Sequence, residues 1–223
     1  MDRSAGFTLL EVAIVLMIVG LLLGSVIQPL GSRIIERQRK QTVDQLVSIR
    51  EAIIGFASVN HRLPCPLTNA ANPSGDCGVE HGYVPAAALG LSGHYNADGL
   101  IVDSWGSPIL CHVSMSDADN DGRADFTSAQ EMRDVSMQQL LPDFEVCEST
   151  LCNQLRANDL PAILISTGAK NHGSTDELEN LDGDRRFVNR DLDQSGNDQF
   201  DDIVLWLSGN ILYTRLLQAR VLP

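Results

Sequence analysis

The chain has little positive charge. It carries 16 basic against 29 acidic side chains, a net charge of -13. Phosphate contact needs a basic face, so this balance excludes nucleic-acid binding by the body as a whole. Aromatic residues make up 5%. No HExxH, GxSxG or CxxC occurs, which removes the simplest signatures of zinc peptidases, serine hydrolases and dithiol redox enzymes. Gly168-Ala169-Lys170-Asn171-His172-Gly173-Ser174-Thr175 imitates a phosphate-binding loop, but Ser174 stands where its lysine belongs. That segment reads as the loop after a strand. The five histidines are scattered and form no ligand or catalytic pattern.

The chain does hold five cysteines in 223 residues. Cys65 and Cys77 lie twelve apart in a Pro/Asn/Gly-rich stretch, and Cys147 and Cys152 lie five apart in another. Neither spacing suits zinc, so two short-loop disulfides are expected, and with them an oxidising compartment. The alternative is reduced thiols in a cytosolic protein. Cys111 sits among Ile109, Leu110 and Val113, as a buried, inert thiol would.

Apolar residues crowd the amino terminus. Residues 7–30 read FTLLEVAIVLMIVGLLLGSVIQPL, in which Glu11 is the only charge. Roughly 20 such residues suffice to cross a bilayer as a helix. A secretory signal has a shorter apolar region that ends in small residues, so the run reads as an anchor. An anchor alone leaves Glu11 unexplained, because a carboxylate near the centre of such a helix costs about 2.5–3.5 kcal/mol, less toward its end.

Gly6-Phe7-Thr8-Leu9-Leu10-Glu11, with the apolar run following at once, resembles the class III signal of type IV prepilins and type II secretion pseudopilins. The resemblance implies that prepilin peptidase cuts after Gly6 and methylates the new amine on Phe7. It implies that Glu11 of one subunit neutralises the Phe7 amine of a neighbour inside hydrocarbon, which sets helix register. It also implies an inner-membrane assembly platform, other pilin or pseudopilin subunits as partners, and a head in the periplasm. Leu63-Pro64-Cys65-Pro66, Asp103-Ser104-Trp105-Gly106 and Asp202-Ile203-Val204-Leu205-Trp206 are similar to the heads of some larger pilin-like subunits. Arg33, Arg37, Arg39 and Lys40 follow the span, while only Arg3 precedes it. The positive-inside rule would therefore place the far side in the cytoplasm. The cleavage motif and the cysteines require the opposite orientation.

The expected organisation is a leader at 1–6, a membrane and filament-core helix at 7–30, an amphipathic continuation at 31–60 and a globular periplasmic head at 61–223. Val43, Leu46, Ile49, Ile53 and Phe56 fall at helical spacing. Pro29 is expected to kink or locally melt the join, and Pro64 and Pro66 to end the helix. Strands are expected at 108–114, 162–166 and 203–207, with 211–217 either strand or helix. The fold class is α+β, a long helix packed on a small antiparallel sheet with long loops, as the pilin resemblance also implies.

Two acidic loops suggest calcium. Asp191, Asp193, Ser195 and Asp198, with Asp202 at the twelfth position, follow the calcium-loop pattern most fully. Asp117, Asp119, Asp121 and Asp125, with Gly122, follow its first half, but Ser128 stands at the twelfth position. The alternative for both is a solvated acidic turn. The function expected is a structural subunit, a minor pilin or pseudopilin. The alternative is a membrane-tethered, calcium-dependent periplasmic enzyme or ligand-binding module, which would have no need of Glu11.

Cleavage after Gly6 predicts a mature chain that begins at N-methylated Phe7. Mass spectrometry of membrane-extracted protein checks this. An intact Met1 in cells with active prepilin peptidase would contradict the motif assignment.

Overall fold

The computed structural model describes residues 8–134, 139–170, 173–196 and 198–221, with backbone alone at 23–32. It divides into two compact units, Met1–Lys40 and Gln41–Pro223. Helix α1 (Leu9–Asn60) is assigned without a break at Pro29, so the local melting expected there is not found. Its last turn closes through a bond from the His61 amide to the Ala57 carbonyl (2.9 Å), with His61 in the left-handed region at φ 58°. Pro64 and Pro66 follow outside the helix, as they must.

Within the second unit, α1 buries Thr42, Leu46, Ile49, Ile53 and Ala57. The spacings of three and four residues trace one stripe. Val43, expected on that stripe, is 37% exposed, and Ile54 and Ala57 replace it in the core. Phe56 is half-buried, with the Arg62 guanidinium 5.3 Å from its ring centre.

Among the described residues seven strands follow: β1 (His81–Tyr83), β2 (Leu110–Val113), β3 (Phe144–Cys147), β4 (Leu155–Leu160), β5 (Ala162–Ser166), β6 (Arg186–Val188) and β7 (Ile203–Leu207). The first sheet has the order β1-β2-β5-β7 and is antiparallel throughout, with Leu164 opposite Cys111 and Leu205. The second has the order β4-β3-β6, and its β3–β6 pair is parallel. Among the described residues the head thus holds two sheets rather than the one expected. The missed strands explain the difference. β4 contains Asn158 and Asp159, poor strand formers, and β6 is only three residues long.

Strand geometry sends alternate side chains to opposite faces. Ala162 and Leu164, with Cys111, Val113, Ile203 and Leu207, join Leu46, Ile49 and Ile53 of α1 in one core. Ile163, Ile165 and Val204 join Phe144, Val146, Leu160 and Phe187 in a second. The first sheet is therefore covered by helix on one face and by the second sheet on the other. This accounts for a β5 whose five residues are all buried.

Three further helices lie among the described residues: α2 (Glu131–Asp134), α3 (Thr175–Glu179) and α4 (Gly209–Gln218). Helix α4 resolves the segment that could have been strand. Leu212 and Leu216, four apart, are fully buried, while Ile211 and Leu217 stay exposed. The Tyr213 hydroxyl donates to the Leu140 carbonyl at 2.6 Å.

Cys65 is bonded to Cys77 and Cys147 to Cys152, while Cys111 is free and buried. Burial pushes the Cys111 thiol up to about 12. Alkylation of the folded, unreduced chain should therefore label no cysteine, and unfolding without reductant should expose one. Reduction should destabilise the head by about 2–4 kcal/mol per bridge. Peptide mapping that finds Cys111 in a bridge would contradict this pairing.

Candidate functional site

The amino-terminal unit begins with a capped helix. Gly6 and Phe7 lie outside the described residues. The Thr8 hydroxyl accepts from the Glu11 amide at 3.2 Å, the N-cap bond of a T-x-x-E start. Glu11 itself is exposed, and among the described residues its carboxylate has no ion pair. A negative charge in the first turn suits the helix dipole, yet its surroundings are apolar on every side. Eleven large apolar side chains between Leu9 and Leu22 are exposed, Leu9 by 90% and Met17 by 68%. Covering them fully would yield on the order of 20 kcal/mol, far more than burying one carboxylate costs. A helix apolar all round is built for a bundle or for lipid, not for water.

Among the described residues no helix is long and apolar enough to cross a membrane. The apolar run of the sequence continues through 23–30, whose side chains lie outside the described set. The described portion, residues 8–22, rises only about 22 Å, short of a hydrocarbon core of about 30 Å.

In the head, the acidic loop with the fuller calcium pattern is not drawn together. Asp191, Asp193, Ser195 and Asp198 lie at the surface, and Asp193 accepts from the Ser195 amide (2.8 Å) and hydroxyl (2.7 Å). These bonds hold the Asp193 carboxyl below the usual range. Arg190 supplies the cation here. Its guanidinium meets Asp176 at 2.8 Å, Asp198 at 3.3 Å and Asp193 at 4.0 Å, and stacks 4.9 Å from the centre of the Phe200 ring. Among the described residues, none of Asp191, Asp193 and Asp198 joins a convergent set of metal-ligating side chains.

Asp202, the expected twelfth ligand of that loop, turns elsewhere. It is buried, accepts from Asn180 Nδ2 at 2.8 Å, and lies with Glu177 and Asp201 in a group whose oxygens fall within 4.8 Å of one another. The Asp201 carboxylate accepts from the Ala169 (3.0 Å) and Lys170 (3.1 Å) amides. Glu177 accepts from the Gly173 amide at 2.9 Å and the Asp201 amide at 3.2 Å. Three amides of the segment that imitates a phosphate loop, those of Ala169, Lys170 and Gly173, are thus committed to carboxylates of this chain. Gly168, at φ 67°, has no room for a side chain, because a Cβ there would collide with Asp201. Burial pushes the Asp202 carboxyl up to about 7.

The other acidic loop is drawn together. Oxygens of Asp117, Asp119 and Asp125 lie within 4.8 Å of one another, as do those of Asp119, Asp121 and Glu131. Asp117 accepts from the Asp121 (3.1 Å) and Gly122 (2.8 Å) amides, and Gly122, at φ 86°, lets the chain reverse. Asp125 is fully buried, and burial pushes its carboxyl up to about 6. Sequence reasoning missed Glu131, three residues past the twelfth position, as well as Glu177 and Asp176. A calcium-loop pattern ends before the first of these and contains neither of the others.

Two buried groups give opposite pH dependence. Asp202 protonates more readily when folded, so its contribution is fully present below about pH 3.8 and is lost as pH rises through about 7. His112 is held down to about 3 by burial, with the neighbouring His81 (Nδ1 to Nδ1, 2.8 Å) adding to the shift. Its contribution is fully present above about 6.5 and is lost as pH falls toward 3. In chelator, Asp202→Asn should therefore give a melting temperature that climbs more steeply between pH 4 and 6.5, and His112→Gln one that climbs less or falls. Thermal unfolding of the detergent-solubilised chain checks this. Profiles parallel to the parent's would contradict both assignments.

Comparison with known proteins agrees with the amino-terminal geometry. Residues 1–27 match the family model "Prokaryotic N-terminal methylation motif". The chain is 28% identical over 110 residues to "Type II secretion system core protein G" of Escherichia coli (strain K12), an alignment that covers 48% of this chain and 70% of that protein. No solved structure matches. The protein therefore carries the prokaryotic N-terminal methylation motif and is homologous to a type II secretion pseudopilin.

Proposed function

We infer that this chain is a minor pilin or pseudopilin subunit of a type II secretion-like or type IV pilus filament. In this reading prepilin peptidase removes residues 1–6 and methylates Phe7. The apolar helix then holds the subunit in the inner membrane, with its head in the periplasm, until an inner-membrane platform moves it into the filament. Two disulfides support an oxidising location for the head. A head with two sheets and long loops, more than half of the chain lying outside the alignment to the pseudopilin, supports a specialised rather than a bulk subunit.

Glu11 carries the reading. Its carboxylate has no ion pair among the described residues and stands in a helix apolar on all sides. A simple tether gains nothing from it. In a bundle, the methylated amine of a neighbouring Phe7 supplies the opposite charge, so both ions leave water together and fix the axial stagger. This separates a filament subunit from a tethered enzyme or binding module.

Glu11→Ala should insert into the membrane as well as the parent and enter sheared filaments about tenfold less, the effect of losing about 1.4 kcal/mol of subunit coupling. Immunoblots of membrane and filament fractions measure both quantities. Incorporation equal to the parent's would remove the charge pairing from this mechanism.

A further inference from the structure

The head contains a cluster of oxygens that the filament reading leaves without a role. Five carboxylates, Asp117, Asp119, Asp121, Asp125 and Glu131, form two convergent groups that share Asp119. Calcium binds oxygen at 2.3–2.6 Å, so two ligands of one ion lie at most about 5 Å apart. Each group already meets that limit, with its oxygens within 4.8 Å of one another.

Asp125 provides the independent observation. The residue is fully buried, and its Oδ2 accepts from the Ala118 amide at 3.1 Å. Among the described residues its Oδ1 is buried without a hydrogen-bond partner. Buried polar atoms are nearly always paired, and a buried carboxylate oxygen with no donor calls for a cation. The nearby cation does not answer this need. Arg123 is more than half exposed, and its ion pairs run to Glu131 (3.5 Å) and Asp121 (4.0 Å). The loop at 191–198 differs, because Arg190 reaches into it with little exposure of its own.

We propose that calcium binds at the group of Asp117, Asp119 and Asp125, with Asp121 and Glu131 of the second group drawn in around the shared Asp119, which pins the loop after β2 to the first turn of α2. The donors are all oxygen, which selects a hard cation. Several carboxylates from one flexible loop suit the larger, more permissive shell of calcium. Magnesium demands a tight octahedron and keeps its waters.

The full chain in detergent, stripped with chelator and dialysed, would be titrated with calcium chloride by calorimetry, and bound metal counted by elemental analysis. One equivalent of calcium should bind, and Asp125→Asn should weaken its binding at least tenfold. Asp119→Asn should do the same. It alters an exposed side chain and so keeps the test valid if Asp125→Asn fails to fold. Asp193→Asn and Asp202→Asn should stay within twofold of the parent. The proposal is overturned if no calcium binds, if both loop variants retain the full equivalent, or if the binding is lost in Asp193→Asn or Asp202→Asn instead. Magnesium binding as tight as calcium overturns the choice of ion. None of these readouts depends on filament assembly, so failure here leaves the filament reading intact, and the converse holds too.

Discussion

The head is organised by a strand that has no side fit for water. Ala162 to Ser166 is buried along its whole length, and it sits between β2 and β7. Because alternate side chains leave opposite faces, such a strand must be covered twice. The end of α1 covers one face and the β4-β3-β6 sheet the other. A buried Leu or Ile contributes about 1.5–3 kcal/mol, so losing either cover would cost a large share of a domain's usual margin of stability. Both covers also fix the loops. The Ser166 hydroxyl, at the end of β5, donates to buried Asp103 at 2.6 Å, and that carboxylate also accepts from the Trp105 and Ser107 amides. The Asp103-Ser104-Trp105-Gly106 segment is thereby a structural corner.

The chain has a net charge of -13, and the head, which holds most of its carboxylates, places them in three ways. Asp103 accepts from two amides and a hydroxyl of the chain itself, and Asp201 from two amides. Asp176, Asp193 and Asp198 share Arg190. The group around Asp125 gathers acid faster than it gathers donors, and leaves one buried oxygen unanswered. Similar sequence patterns thus end in different chemistry, because a carboxylate responds to whichever partner the fold brings closest. The loop with the fuller calcium pattern lost its twelfth position to Asn180 and its charge to Arg190.

The amino-terminal helix presents the opposite problem. It has apolar surface on every side and a single carboxylate, with nothing among the described residues of its own unit to cover either. Water is a poor solvent for such a helix, and a bundle or bilayer a good one. The methylation motif at 1–27 belongs to this end of the molecule. The head and the helix therefore answer to different solvents, which is why composition averaged over the chain says little about either.

What the sequence by itself determined was whatever is written locally. The methylation motif, the lone Glu11, the strands at 162–166 and 203–207, the helix stop before Pro64 and the cysteine pairs all depend on near neighbours or on a short repeat. The α+β class followed from those elements. Tertiary structure decided the rest. It added a second sheet whose strands are too short or too polar to declare themselves, and set 211–217 as helix by burying Leu212 and Leu216 together. It drew Glu131 to the Asp119 loop and took Asp202 away from the loop at 191–198. Spacing along a chain fixes which oxygens can converge, but the partners that win them come from segments far away in sequence. Only the packed fold brings those segments within the roughly 3 Å at which a hydrogen bond or ion pair is made.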